Sequence, residues 1–476
     1  MKTAICVIIK DEHQYLKEWL DYHFNLGIDE IFLYEDYGSK SHESITKEYG
    51  NKVHLDSIDI IFHTGNFIFT DKYNKGGSLN QEKLFDWFPE VYRDKFDWVL
   101  FNDIDEFLIL KKPLHDLLSE YDDKSAIYLH WKYYGASGHI KKPEGKVMDN
   151  FTQYTTSSLD YHWSHKSFVN LKRYVKWENP IHKVEGGVQP LTPFGDHKAY
   201  LNHYFTKSWE EWKDKLLVRG DTHPGNRKIT QFFRLNKDLE YMKNDLLLEI
   251  AIENATKIGF NKKIPNDKDR KYFHFCWFGS SEFSDLNIKC IESWKKYLSD
   301  NYVVCLWNES SFGFNDIKFT RNAYQCKKWA YVADYVRLWS VYTFGGVYVD
   351  ADVELIKPID NLPTNFLGIE KDYDILAMGL GFGAEKGNEV IGGVLDYYKD
   401  LSFSVDNMYG LIINKLVMDY FCKRGYQLNL TDVHEFLGFT IYPDTYFCPK
   451  SNVKKTIDIK DETIAIHHYT GSWAID

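Results

Sequence analysis

The 476-residue chain has seven cysteines, at Cys6, Cys276, Cys290, Cys305, Cys326, Cys422 and Cys448, an odd number with no CxxC pair. That spacing excludes a paired-cysteine zinc site, argues against a disulfide framework and suits a reducing compartment. No apolar run approaches the roughly 20 residues needed to span a bilayer. The opening MKTAICVIIKDEH has an apolar run only over 5–9 before charge returns, so it reads as a first strand and not as a signal peptide. Basic tracts are also missing. Against 58 Lys and Arg stand 69 Asp and Glu, a net charge of -11 with the lysines interspersed among acids, which argues against a nucleic-acid partner. These absences lead to the expectation of a soluble, cytoplasmic protein. Aromatics, in contrast, make up 17% of the chain, 14 of them Trp and 34 Tyr; such faces stack on sugar rings, although most fill ordinary cores. The length exceeds one ordinary domain and suggests two.

The most informative stretch is ADYVRLWSVYTFGGVYVDAD, residues 333–352. Residues 331–343 have helical apolar spacing, and Gly345-Gly346 supplies the stop. Asp334 and Arg337, three residues apart, share one face of that helix. Residues 347–349 read as a short buried strand with Asp350 and Asp352 at its C-terminal end, the edge where open α/β sheets bind ligands. Carboxylates two residues apart on an extended chain point the same way, which suits a hard divalent cation. Asp-x-Asp alone is a common solvated turn, so the surrounding pattern has to carry the reading.

The first half alternates strand and helix: strand 3–9, helix 14–26, strand 30–34, a helix near Ser44, strand 53–62 and a helix from Leu79. Such alternation implies a largely parallel sheet with crossover helices. DWVLFNDIDEF, 97–107, repeats the theme, with Asp103, Asp105 and Glu106 crowding the end of a buried strand. Three carboxylates so close repel one another unless a cation neutralises them, which points to a second metal site. A helix over 246–258 and the polar, lysine-rich GFNKKIPNDKDRK form the linker, and YFHFCWF at 272–278 restarts with a strand. The expected divisions are 1–240, a helix and linker over 241–270, and 271–476.

The pattern ADxxR, Gly-Gly and YxDxD resembles the sugar-nucleotide region of glycosyltransferase family 32, a retaining family. The resemblance implies that Asp334 and Arg337 hold the donor sugar and that Asp350 and Asp352 hold Mn2+ or Mg2+ on a nucleotide diphosphate, UDP by family habit. Lys10-Asp11-Glu12, KEWLDYH, Tyr34-Glu35-Asp36, Gln81, DIDEF and LNHYFTKSWEEWKDKLLVRGD resemble the inverting, glycosyltransferase 2-like enzymes related to family 92, over about the first 220 residues. That second resemblance implies Glu12 and Asp36 near the nucleotide, Asp103 and Asp105 on the metal, and Gly135, Ser137 and Gly138 bordering the acceptor. Both halves are then expected to be α/β domains of the nucleotide-sugar-binding GT-A type, in tandem.

An inverting transferase needs a general base; Glu106, Asp160 and Glu185 are the candidates. His182 and His203 are candidates for the remaining metal shell, since imidazole is a common third ligand. Lys207 and Ser208 either face phosphate or cap the helix beginning at Trp209. In the second half, GLGFGAE matches no phosphate-binding fingerprint; by resemblance it builds the acceptor side, with Gly381 at its centre. In IAIHHYTGSW, His-x-x-Gly resembles the segment that adds a histidine to the metal, here His468, and Ser472-Trp473 resembles a diphosphate clamp. Strand alternation keeps His467 and His468 from both pointing into the site.

The expectation is therefore a hexosyltransferase making two metal-dependent transfers from nucleotide sugars to a lipid-linked or protein-linked glycan: capsule, lipopolysaccharide, exopolysaccharide or a glycosylated adhesin. Because Golgi enzymes normally carry an anchor, a bacterial enzyme at the inner face of the membrane is expected, with peripheral membrane contact. The alternatives are a catalytic second domain with an acceptor-binding first domain, or a carbohydrate-binding protein without turnover. The layout lacks the facing carboxylate pair of a glycoside hydrolase.

Overall fold

The computed structural model describes residues 1–36, 38–58, 80–155, 165–179, 182–191, 195–219, 229–313, 317–451 and 453–469. The chain divides into two compact units, Met1–Arg227 with Gln231–Leu239, and Lys228–Thr230 with Glu240–Asp476.

In the first unit β1 (Thr3–Ile9), α1 (His13–Asn25), β2 (Glu30–Glu35), β3 (Val53–Ser57), α2 (Asn80–Tyr92) and β4 (Trp98–Phe101) follow in order. Then come β5 (Glu106–Leu110), β6 (Ala126–Tyr133), β7 (His165–Asn170), β8 (Ala199–His203) and α3 (Trp209–Asp214). The eight strands form one sheet in the order β3-β2-β1-β4-β7-β6-β8-β5. After Thr3 the β1 sequence is apolar, because both of its faces are covered. Ile5, Val7 and Ile9 pack with Leu16, Trp19 and Leu20 of α1, while Ala4 and Cys6 pack with Leu84, Phe85 and Phe88 of α2. The period-two alternation of the strand thus sorts one run of residues into two cores. Pairing is parallel among β1 to β4, as the strand-helix alternation implies. Beyond β4 it is mixed, with β7 antiparallel to β4 and to β6, and β5 antiparallel to β8. This corrects the largely parallel sheet expected: β5 follows β4 after a short turn and joins the far edge of the sheet, which no crossover helix announces.

The second unit opens with α4 (Lys243–Lys257), then β9 (Lys271–Cys276), α5 (Asp285–Tyr297), β10 (Tyr302–Trp307), α6 (Trp329–Phe344), β11 (Gly346–Tyr348) and β12 (Val353–Leu355). Then come β13 (Phe366–Glu370), β14 (Ile375–Ala377), β15 (Phe382–Ala384), β16 (His434–Phe436), β17 (Phe439–Tyr442) and β18 (Ala465–His467). The main sheet runs β10-β9-β11-β15-β13-β17-β16, with β14 added beside β13, and β12 pairs with β18 apart from it. The segment expected to link the halves is tied into this unit. Asn254 on α4 donates to the Leu306 carbonyl at 3.4 Å, and Asn261 donates to the Val304 carbonyl at 2.8 Å and accepts from its N–H at 2.9 Å.

Gly345 and Gly346 end α6 for a steric reason. Gly345 has φ 74°, and a Cβ on Gly346, at φ 105°, would fall 2.3 Å from the Tyr272 carbonyl oxygen. The chain therefore turns straight from helix to strand beside β9. Trp294 fastens the opposite side: it is fully buried against Phe273 and Phe275, and its indole N–H donates to the Val353 carbonyl at 2.7 Å. We expect Trp294→Ala to cost the second unit about 3–5 kcal/mol, read as an earlier urea midpoint by circular dichroism, with the first unit's transition unmoved.

Candidate active site

Asp334 and Arg337 stand on one face of α6, both buried. The Arg337 guanidinium meets Asp334 Oδ1 at 3.0 Å and grips Asp350 through both terminal nitrogens, Nη2 to Oδ1 at 3.1 Å and Nη1 to Oδ2 at 3.3 Å. Its planar fork matches a carboxylate. Tyr348 closes the set, its hydroxyl donating to Asp350 Oδ1 at 2.8 Å and its ring lying 5.0 Å from the guanidinium carbon. Burial lifts the Asp334 carboxyl to about 6 even with Arg337 beside it.

Asp350 and Asp352 follow the end of β11 in a turn, the Val353 N–H donating to the Asp350 carbonyl at 3.0 Å. A histidine reaches them from the far end of the chain. Residues Asp350, Asp352 and His467 bring one ligand atom each within 4.8 Å of one another, and among the described residues they are the one group of this kind. The β12–β18 ladder sets this up by pairing Val353 with His467, which puts that ring beside Asp352 at 3.3 Å. His468 was the expected ligand. The structure turns it away instead, to Glu354 Oε2 at 2.8 Å, and Glu354 is also paired with Lys289 at 2.7 Å. The alternation argument was sound, but the register of β18 selects the other histidine. Burial would depress the His467 imidazole, yet Asp352 in contact, with Asp350 behind it, raises it well above its ordinary value. Two carboxylates and an imidazole are a donor set that fits Mn2+ or Mg2+.

Gly379 completes the site. Its carbonyl accepts from the Asp350 N–H at 2.9 Å, and a Cβ there would fall 2.1 Å from Asp350 Oδ2 and 3.0 Å from Arg337 Nη1. Gly381, the glycine singled out in that loop, faces inward, its nearest neighbours for a Cβ being Val349 and Phe447 side chains. Ser472 and Trp473 lie outside the described residues, as does Asp160.

In the first unit Glu12 follows β1, Asp36 follows β2, and Asp103 and Asp105 follow β4, all at the C-terminal edge of the parallel strands. The turn carrying the carboxylates is held from behind, the Trp19 indole donating to the Glu106 carbonyl at 2.8 Å and Asn102 Nδ2 to the same oxygen at 3.1 Å. Lysines neutralise the acids. Lys166 Nζ lies 2.8 Å from Asp103 Oδ2, Lys215 Nζ 3.2 Å from Asp105 Oδ2, and Lys207 Nζ 3.6 Å from Glu12 Oε2. Gln81 donates to the second oxygen of Asp103 at 2.6 Å. The repulsion from which a second metal site was inferred is thus relieved by the chain itself.

The expected histidine ligands separate. His203 Nε2 lies 3.5 Å from Asp105, its ring pushed down to about 4 by burial, whereas His182 turns its Nδ1 to the His165 carbonyl at 2.8 Å. Glu106 is fully buried, and burial with Asp103 nearby raises its carboxyl well above the usual range, so a base reaching an acceptor hydroxyl is not what this side chain offers. Glu185 is paired with Lys176 at 3.2 Å. Ser208 caps α3 in a reciprocal capping box with Glu211. In the loop expected to border the acceptor, the Ser137 hydroxyl accepts from the Thr152 and Gln153 N–H groups, each at 2.9 Å. A Cβ on Gly135 would strike Asn236, while Gly138 takes φ 78°. These three residues build their loop.

Comparison with known proteins agrees with this geometry. The model of glycosyltransferase family 92 matches residues 2–239, which is 238 of the 476 residues. The chain belongs to glycosyltransferase family 92. A second family model, the glycosyltransferase sugar-binding region containing a DXD motif, matches residues 284–367, a stretch that includes Asp334, Arg337, Asp350 and Asp352. A family 92 protein of Oryza sativa subsp. japonica is 26% identical over 234 residues, covering 46% of this chain and 36% of its own. One from Ricinus communis is 24% identical over 241 residues, 47% and 38% of the two chains. The chain therefore matches little more than a third of the length of these curated relatives, which are plant proteins. Among solved structures, the PaToxG glycosyltransferase aligns over 40% of this chain and 80% of its own at 17% identity, with a TM-score of 0.26. The fold is α/β in two units, as expected, and among the described residues no helix is long and apolar enough to cross a membrane.

Because Gly379 leaves room for the Asp350 carboxylate, we expect Gly379→Ala to weaken Mn2+ binding about 10- to 100-fold, the usual cost of disturbing a ligand's support. Titration of the folded variant against Gly410→Ala, where a Cβ meets open space, checks it.

Proposed function

We propose that this family 92 chain transfers sugars from nucleotide-sugar donors to a glycan acceptor, with the second unit dependent on Mn2+ or Mg2+. The observation that carries this reading is the convergence of Asp350, Asp352 and His467 beside the Arg337 clamp. A divalent cation bound there supplies charge neutralisation for a departing nucleoside diphosphate. Arg337 fixes the orientation of Asp350, and Tyr348 shares that carboxylate. In this reading Asp334, held by Arg337 on α6, accepts hydrogen bonds from donor-sugar hydroxyls, which is catalysis by positioning. Retention of configuration in the second unit and inversion in the first, with Glu12 and Asp36 toward the first unit's nucleotide, belong to the same proposal. UDP is the proposed nucleotide, and a lipid-linked or protein-linked surface glycan is the proposed acceptor. The loop at Gly135–Gly138 in the first unit and the loop at Gly381 in the second each belong to the acceptor side of their own unit in this reading, and Ser472 and Trp473 to the second unit's diphosphate end.

A second reading, in which only the second unit turns over donor and the first holds acceptor, is favoured by the lysines that engage Glu12, Asp103 and Asp105. Hydrolysis of a panel of nucleotide sugars with Mn2+ decides between them. We expect Asp352→Ala to lower turnover of one donor by about 100- to 1000-fold, the scale of losing one preorganised electrostatic group. If Asp105→Ala abolishes turnover of a different donor, both units transfer; if it leaves every donor untouched, the first unit is an acceptor module. Loss in neither variant rejects the transferase reading.

A pH dependence follows from Asp334. Its carboxyl titrates near 6 and is needed ionised, so kcat/KM for the second unit's donor should rise with pH through about 6 and level off above it. A profile flat from 5 to 7, on the order of one unit either side of that value, contradicts the role given to Asp334.

A further inference from the structure

The two carboxylate pairs of the chain look alike in sequence, Asp-Ile-Asp at 103–105 and Asp-Ala-Asp at 350–352. Their surroundings differ in the charge they bring. Around the second pair, Arg337 sets one positive charge against Asp334, Asp350 and Asp352, and the neighbouring donor that completes the group is an imidazole, a group that binds metal when neutral. Around the first pair, each carboxylate has its own ammonium. Lys166 takes Asp103, Lys215 takes Asp105, and Lys207 takes Glu12.

These lysines are built in, not surface side chains that have folded over. Lys166 is 1% exposed, Lys207 2% and Lys215 6%. Lys166 arises from β7 next to β4 in the sheet, so its place beneath Asp103 is set by strand pairing. Lys207 sits at φ 52° immediately before the capped α3, with its ammonium 4.2 Å from the Tyr15 ring centroid, and the Tyr15 hydroxyl donates to Glu211 of the same capping box at 2.7 Å. Lys215 follows α3 directly and also donates to the Phe205 carbonyl at 3.5 Å. A divalent ion entering between Asp103 and Asp105 would meet these ammonium groups at contact distance and would have to strip buried lysines of their counter-ions. The donor set does not fit a cation.

We propose that the chain has a single divalent-cation site, Asp350, Asp352 and His467, and that the first unit holds its nucleoside-diphosphate ligand without a metal, its acidic pair serving to anchor Lys166 and Lys215. This rests on the transferase reading for the second unit and goes beyond it for the first. Asp103 and Asp105 are then positioning residues for the lysines, and removing a lysine uncovers a carboxylate pair able to take an ion.

The test is Mn2+ binding to the full chain, followed by loss of the paramagnetic resonance signal of free Mn2+. The wild type should bind a single Mn2+ per chain, lost in Asp352→Asn and kept in Asp105→Asn. Lys215→Ala, which leaves Asp105 without that counter-ion, should gain a second Mn2+. Two Mn2+ in the wild type, one of them lost in Asp105→Asn, overturns the inference and leaves the second unit's metal dependence standing. No Mn2+ in the wild type overturns the cation site of the second unit, and with it the reading on which the inference rests. If Asp105→Asn does not fold, the wild-type stoichiometry and the Lys215→Ala gain decide alone. A Lys215→Ala chain that still takes a single Mn2+ removes the role given to that lysine.

Discussion

The second unit depends on one buried cation. Arg337 sits among Asp334, Asp350 and Tyr348 with almost no solvent, and each of those groups in turn is tolerable there because of it. Unpaired, Asp350 would be an isolated charge behind a short strand; removing one partner of a buried pair costs about 3–5 kcal/mol. The arrangement also fixes geometry. A guanidinium that holds both oxygens of Asp350 leaves the carboxylate one orientation, and that orientation puts it within ligand distance of Asp352 and His467. Helix α6, the Gly345-Gly346 turn and β11 bring the arginine and the aspartate together over a short stretch of chain, and Gly346 in that turn cannot carry a side chain without striking Tyr272.

Much of this was legible in the chain. The strands whose residues are apolar on both faces, β1 and β4 above all, and the helix with a clear buried stripe, α1, were expected within a few residues of where they lie. Asp334, Arg337, Asp350 and Asp352 were legible because they are close in sequence, so local geometry alone brings them together. What depends on distant pairing was not. His467 and His468 are equivalent in composition, and only the β12–β18 register distinguishes them. Strands β5 to β8 were missed because their order in the sheet is set by tertiary pairing and no local period reports it. Gly379 was visible as one of three glycines in a run, but the reason it matters is an atom of Asp350, 29 residues earlier.

The first carboxylate pair is the instructive case. The argument that Asp103, Asp105 and Glu106 need a cation was physically correct, and the structure sets lysine ammonium groups beside Asp103 and Asp105, a source of positive charge that the local sequence did not show. Lys166 and Lys215 are 63 and 110 positions away from Asp103 and Asp105, and Lys207 is 195 away from Glu12, and nothing in their local sequence marks them as buried. A lysine is most often exposed, so a reading by residue type places all three on the surface.

The contrast between the units is a contrast in how a negative site is kept intact. An ammonium on a strand or beside a capped helix arrives with the fold. An imidazole beside two aspartates is conditional. His467 Nε2 lies 3.3 Å from Asp352, whose charge, with Asp350 behind it, raises the imidazole well above its ordinary value, and metal and proton compete for such a nitrogen. The second unit thus sets one imidazole beside its carboxylate pair, whereas the first sets an ammonium beside each aspartate of its pair.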